Sequence, residues 1–422
     1  MPTAAISEPT GRRTDLDWVR IGAFALLIFY HIGVFYAPGP TAVGAISPRP
    51  LPWLVVPMAL VNPWRLLVLF IVAGAAIRFL ADKLRPRALL KARSVRLLIP
   101  LAFGVAVIVP PQCFVQVVER CGYSGNYWDF WRRYLSADQN ICPIGQHLIV
   151  PTYNHLWFVA YLWVFTALLI LGLLIAPAVL EKLQRFVERA LAGGGFILWP
   201  VCWLALAWGL LEHRFGLGYA LAIDAPAFLL GYLTASSDTL WVRLEKARWR
   251  ALAGAVASYC LMIGLALVFL GTQFDWGAKM ASGRSSGSLM LHFLSSSVYG
   301  LNQWLWITVV FGFAYHSLRG CDGPIRRYLT EAIFPFYIIH QTTIEVVGHY
   351  LAKARLALGL EAALLVAATT ASCFVVYEVA RRIRPLRPLF GLKAIERRPQ
   401  CSTRKTRWQA TDRDAVRADD TA

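Results

Sequence analysis

The sequence predicts an all-α protein: a polytopic helical bundle that crosses a membrane about ten times, with both termini in the cytoplasm. Two observations carry this. Of 422 residues, 57% are hydrophobic and only 16% charged, whereas about a quarter of an ordinary soluble domain is charged. In addition, apolar runs long enough to cross a hydrocarbon layer of about 30 Å recur along the chain. Backbone groups in hydrocarbon must be paired within the segment, so these runs are expected to be helices.

The runs fall at 16–37, 62–80, 97–118, 154–176, 197–211, 217–235, 251–271, 291–314, 329–350 and 356–380. The weakest part is 197–211 with 217–235, joined by the turn Glu212–Gly216, because the first run is short for a full crossing. Alternation puts loops 81–96, 177–196, 236–250 and 315–328, with both tails, on one face. That face carries most of the 42 Lys and Arg, against nine in the opposite loops, which makes it cytoplasmic. The net charge of +18 therefore reports topology, and no nucleic-acid partner is expected. The chain divides into a cytoplasmic tail (1–15), a membrane domain (16–390) and a basic tail (391–422). The basic tail, which includes Arg397 and Arg398, is polar and poor in aromatics, a composition that suits disorder and contact with lipid headgroups. Arg12-Arg13 before the first run, with small residues near Ala42–Ala45, imitates an export signal, but the run serves as a first span.

Eight cysteines include no CxxC pair, so no metal site is expected. Cys121 and Cys142 share the outward loop 119–153, where a disulfide and two free thiols are both open readings. Tyr123, Tyr127, Trp128, Trp131 and Tyr134 in that loop fit an aromatic belt at the membrane interface or a platform for sugar rings.

Polar residues inside the spans point to function. His31 follows Arg20 by eleven residues, about 1100° of helical rotation, so the two share one face, separated by a rise of about 16 Å. The guanidinium is then at the inner surface and the imidazole beyond the membrane middle. A titratable ring at that depth marks a functional site by default, although a structural hydrogen bond to a neighbouring helix explains it too. Arg93 and Arg96 are three residues apart at a helix start, a fork suited to phosphate, though the positive-inside rule also accounts for basic residues there. His155, Asp224 and His340 lie at middle or outer depth on three other spans and would line one polar cavity with His31 if the helices converge. Glu345 and His349 lie farther out, at the spacing of an i,i+4 pair.

The ordered set Asp17-Trp18-Val19-Arg20 with His31-Ile32, Phe70-Ile71-Val72-Ala73-Gly74, Arg93-x-x-Arg96 with Pro100, His155-Leu156-Trp157-Phe158 and Tyr337-Ile338-Ile339-His340 resembles the acyltransferase 3 superfamily over most of residues 14–390. Tyr377, Glu378, Arg381, Pro385 and Leu386, running to Phe390, look like its glucans biosynthesis protein C branch, which succinylates periplasmic glucans. The resemblance implies a multi-pass protein of a bacterial inner membrane. It also implies an O-acyltransferase with acyl-CoA as donor substrate, no tightly bound cofactor, a glycan acceptor outside, and glycan-synthesis proteins as possible partners. By matching position, His31 becomes catalytic and Arg20, Arg93 and Arg96 donor-binding or architectural, while His155, Asp224 and His340 are read as orienting or acceptor-binding. The family usually has Ser-Gly where this chain has Ala73-Gly74, so a hydroxyl there is not required. His31 as general base with direct transfer is the expected chemistry, with a covalent acyl-histidine as the other route. A transporter of an acylated sugar or small anion is the alternative function, since buried polar groups on several helices also mark substrate paths.

Overall fold

The computed structural model describes residues 13–37, 46–142, 149–211, 216–271 and 286–394, and among these it is helical with no strand. The turn at 212–215, the residues around Ala42–Ala45 and the tail with Arg397 and Arg398 lie outside the described residues. The helices are α1 (Thr14–Tyr36), α2 (Val55–Val61), α3 (Arg65–Ala81), α4 (Pro86–Phe103), α5 (Pro110–Cys121), α6 (Tyr127–Leu135), α7 (Trp157–Ile175) and α8 (Pro177–Ala190). They continue with α9 (Gly195–Leu210), α10 (Leu217–Tyr219), α11 (Ala225–Thr234), α12 (Asp238–Gly271), α13 (Ser286–Leu318), α14 (Pro324–Lys353), α15 (Leu358–Arg382) and α16 (Leu386–Leu389).

Seven helical segments among the described residues are long and apolar enough to cross a membrane, and α8 with α9 forms an eighth candidate bent by 110°. The outward faces agree with this. Leu168, Leu171, Leu174 and Ile175 of α7 and Val375 and Val379 of α15 are exposed, a surface that water would not tolerate over such an area. Helices α13 and α14, with 33 and 30 residues, cover the expected spans 291–314 and 329–350. They are long enough to cross but too polar to stand among the seven, because they face inward. Asn302, Gln303, His340, Thr342 and Glu345 on them are all buried.

Two expected loops contain amphipathic helices. In 119–153, Asn126 caps α6 by accepting from the Asp129 backbone N–H at 3.0 Å. Phe130 and Tyr134 are buried while Trp128 is exposed, so most of the aromatic cluster is packing. Cys121 and Cys142 are joined as a disulfide, with Cys113 a buried free thiol. In 177–196, the charged helix α8 turns sharply into α9.

Helix α1 packs on α3, α13 and α14. The backbone from α4 to α5 passes through a π-turn at Gly104–Ile108, and another, Ala220–Asp224, precedes α11. Such turns release carbonyls from the helical ladder, and Ile108 uses its own to accept from the Thr342 hydroxyl at 2.8 Å. Beyond α15 the chain folds back so that α16 packs on α4, burying Phe390 and Leu392.

Helices α3 and α11 cross at Gly74 and Gly231. A Cβ at Gly74 would stand 1.9 Å from the Phe228 carbonyl oxygen, and one at Gly231 2.0 Å from that of Ile71. Both obstacles are backbone and cannot rotate away, and small residues are what permits such close approach between helices in lipid. Gly74→Val should therefore destabilise the bundle by more than the about 1–3 kcal/mol of ordinary overpacking. The expected result is a lower melting temperature in detergent, with Ala73→Ser unchanged; an unaltered melt for the valine variant would contradict the tight crossing.

Candidate functional site

Three of the expected histidines come together. His31 on α1 and His340 on α14 place Nδ1 and Nε2 3.0 Å apart, and the His155 and His340 rings meet edge to face at 5.3 Å between centroids. The contacts fix the tautomers. His340 Nδ1 lies 2.8 Å from the Tyr337 carbonyl oxygen, which only accepts, so His340 carries its proton on Nδ1 and offers the Nε2 lone pair to His31. His31 must then donate from Nδ1, leaving its Nε2 unprotonated. His155 Nε2 donates to the Ile338 carbonyl at 3.0 Å, so its Nδ1 accepts from Gln112 Nε2 at 3.3 Å.

Burial sorts the roles. His340 is wholly buried and His155 nearly so, whereas His31 is only partly buried. Gln112 ties the shell together, donating to Thr342 Oγ1 at 2.6 Å and accepting from Asn154 Nδ2 at 3.2 Å. Farther out, His349 bonds Glu119 and Glu345 accepts from Gln341 at 2.8 Å, so the i,i+4 pair is replaced by separate partners.

Asp224 does not join the histidines. It is wholly buried in the π-turn before α11, and neither carboxylate oxygen has a hydrogen-bond partner among the described residues. It lies within electrostatic reach of Tyr219, which also faces Arg65. Arg65 was unmarked in the sequence, where a basic residue at a span entrance reads as a snorkelling side chain. In the fold it is buried, with its guanidinium carbon 3.4 Å over the Tyr30 ring.

At the other end of α1 a second group assembles. Arg93 lies within electrostatic reach of Arg20 and Arg96, so the three cations expected to act together share one region. Arg20 is partly committed, donating to the Thr330 carbonyl at 3.3 Å and lying 3.8 Å from Asp17. Arg326 anchors this end by pairing with both Asp17 and Asp322. An open cavity of about 480 Å³ lies at this end, lined by Asp322, Arg327, Tyr328, Glu331, Tyr377 and Arg381. Hydrogen bonds from Arg327 and Arg326 hold the Asp322 carboxyl well below the usual carboxylate range. Glu331 borders this cavity and is also within electrostatic reach of Arg96. The closing residues of the sequence motif build the wall: Glu378 accepts from Tyr328 at 2.8 Å and from Arg381 at 2.9 Å.

The arrangement offers a partly accessible imidazole with a free Nε2 at one depth and a cationic cluster at the other. No cluster of metal-ligating side chains occurs among the described residues. Comparison with curated proteins and with solved structures gives no match. The family model described as an acyltransferase domain matches residues 13–378, nearly the whole helical region, and the chain belongs to that acyltransferase 3 family.

Proposed function

We propose that this membrane acyltransferase moves a succinyl or acetyl group from cytoplasmic acyl-CoA to a hydroxyl of a periplasmic or cell-surface glycan, in a bacterial inner membrane. The observation that carries the reading is the His31–His340 bond on a helix whose opposite end meets Arg93 and Arg96. Three arginines suit the phosphates of coenzyme A, and the pantetheine arm carries the thioester toward His31. His31 Nε2 removes the proton of the acceptor hydroxyl while its oxygen bonds to the acyl carbon. The C–S bond then breaks, and the proton passes to the departing thiolate, giving free coenzyme A and an O-acyl ester. His340 acts as a positioning residue, holding the tautomer in which Nε2 is the base.

The test is purified protein in proteoliposomes with radiolabelled succinyl- or acetyl-CoA on one side and a glucan on the other. Label on the glycan supports the enzyme, whereas release of unchanged labelled substrate across the bilayer favours the transporter. His340→Gln keeps an acceptor near the Nε2 position and His340→Leu removes it. Transfer is expected to fall at least about tenfold for Leu, with Gln intermediate, because an unfixed imidazole samples the wrong tautomer. Equal rates for both variants would remove His340 from this role.

A further inference from the structure

Arg65 opens α3, and no carboxylate among the described residues pairs with its charge. The residue is 5% exposed, Nη1 donates to Asn62 Oδ1 at 2.7 Å, and Nε is buried with no hydrogen-bond partner among the described residues. The guanidinium stacks on Tyr30 and is also faced by Tyr219 and Tyr299. Trp208 closes the box against the last two, at 5.3 and 4.7 Å between centroids. These groups are neutral amides and phenols. Asp224 shares Tyr219 as a neighbour, yet both its oxygens lack partners, so the buried cation and the buried carboxyl are not joined to each other. A buried guanidinium without a counter-charge is strongly unfavourable, and a bound anion removes the penalty.

Tyr30, under the Arg65 guanidinium, precedes His31 with their rings 6.1 Å apart between centroids, and Arg65 lies within electrostatic reach of His31 itself, so a negative group on Arg65 sits a short carbon chain away from the carbon that His31 serves. We propose that Arg65, framed by Tyr30, Tyr219 and Tyr299, reads a carboxylate at the far end of the acyl group and so selects a dicarboxylic half-thioester, such as succinyl-CoA, over a neutral acyl-CoA. This rests on the acyltransferase reading above and decides between its two acyl groups. A planar guanidinium fork matches a carboxylate with two parallel hydrogen bonds. The electrostatics agree: His31 becomes cationic when it takes the hydroxyl proton, and Arg65 repels that charge unless an anion lies between them.

The experiment compares wild type with Arg65→Met in detergent, using succinyl-CoA against butyryl-CoA and a neutral glucan acceptor. Wild type should favour succinyl-CoA, and the succinyl-to-butyryl ratio of kcat/KM should fall by at least about 100-fold in the variant, near the lower bound for two charge-assisted hydrogen bonds. A binding arm needs no turnover. The thioether S-(3-carboxypropyl)-CoA should bind wild type more tightly than S-butyl-CoA, and Arg65→Met should erase that preference. Equal loss with both donors at an unchanged melting temperature would mean that Arg65 serves the reacting carbonyl, and overturns the subsite. Active wild type that prefers butyryl-CoA also overturns it while leaving the acyltransferase intact. Absence of transfer from every acyl-CoA sinks the functional reading instead, and the thioether pair still decides the subsite. If the defect of Arg65→Met appears only with a uronate-bearing acceptor, the carboxylate belongs to the acceptor and the assignment to the acyl chain falls.

Discussion

His31→Ala is expected to lower acyl transfer by about 10²–10⁴-fold, the range that a positioned acid–base group supplies, without disturbing insertion or folding. The separation of effects follows from the structure. His31 is partly accessible, and among the described residues its side chain bonds His340, so alanine removes no core packing comparable to that of Phe24 or Leu27, which are buried on the same helix. The measurement is single-turnover transfer from labelled acyl-CoA, paired with a melting curve in detergent. A variant that melts normally and still acylates at the wild-type rate would end the assignment of His31 as the base. For the wild type, transfer should rise with pH as imidazolium is converted to the free base and then level off, because only the unprotonated Nε2 can accept the hydroxyl proton.

The second large effect concerns the donor. Arg93→Ala combined with Arg96→Ala should raise the KM for acyl-CoA by about 100-fold or more, since a hydrogen bond to a charged group is worth about 1.5–3 kcal/mol, while kcat changes little. Three guanidinium groups held near one another repel, and a polyphosphate ligand relieves that repulsion, so donor affinity should also weaken as salt rises. Arg20→Ala is a poorer test. Its guanidinium is already engaged with the Thr330 carbonyl and with Asp17, and part of its loss would be structural. An unchanged KM in the double variant, with folding intact, would move the donor site away from this cluster.

Much of this was legible in the sequence, for physical reasons that differ from residue to residue. The shared face of Arg20 and His31 follows from helical periodicity alone, and α1, α7 and α15 announce themselves by unbroken apolar runs. Helices α13 and α14 were legible by length but are polar enough to fall short of a simple hydropathy threshold, because the surfaces they bury face other helices. Amphipathic α6 and α8 resemble loops in the sequence, since a helix lying along an interface has too few apolar residues to resemble a span. His340 could be singled out by its depth, but its bond to His31 is a tertiary fact. Asp224 looked equally suited to the histidine group, yet the π-turn holds it beside Tyr219. Arg65 was missed because its burial is created by Tyr219 and Tyr299, residues more than 150 positions away whose approach no local pattern records.

The His31–His340 bond joins residues 309 positions apart. A ribosome adding about 5–20 residues per second releases the first ring roughly 15–60 s before the second. During that interval α1 resides in the bilayer with an imidazole whose orienting acceptor does not yet exist. A nascent or prematurely terminated chain therefore carries the proposed base without its tautomeric constraint, and reactivity is deferred until α14 inserts. Insertion of α14, rather than of the helix that bears it, is then the event that arms the proposed base.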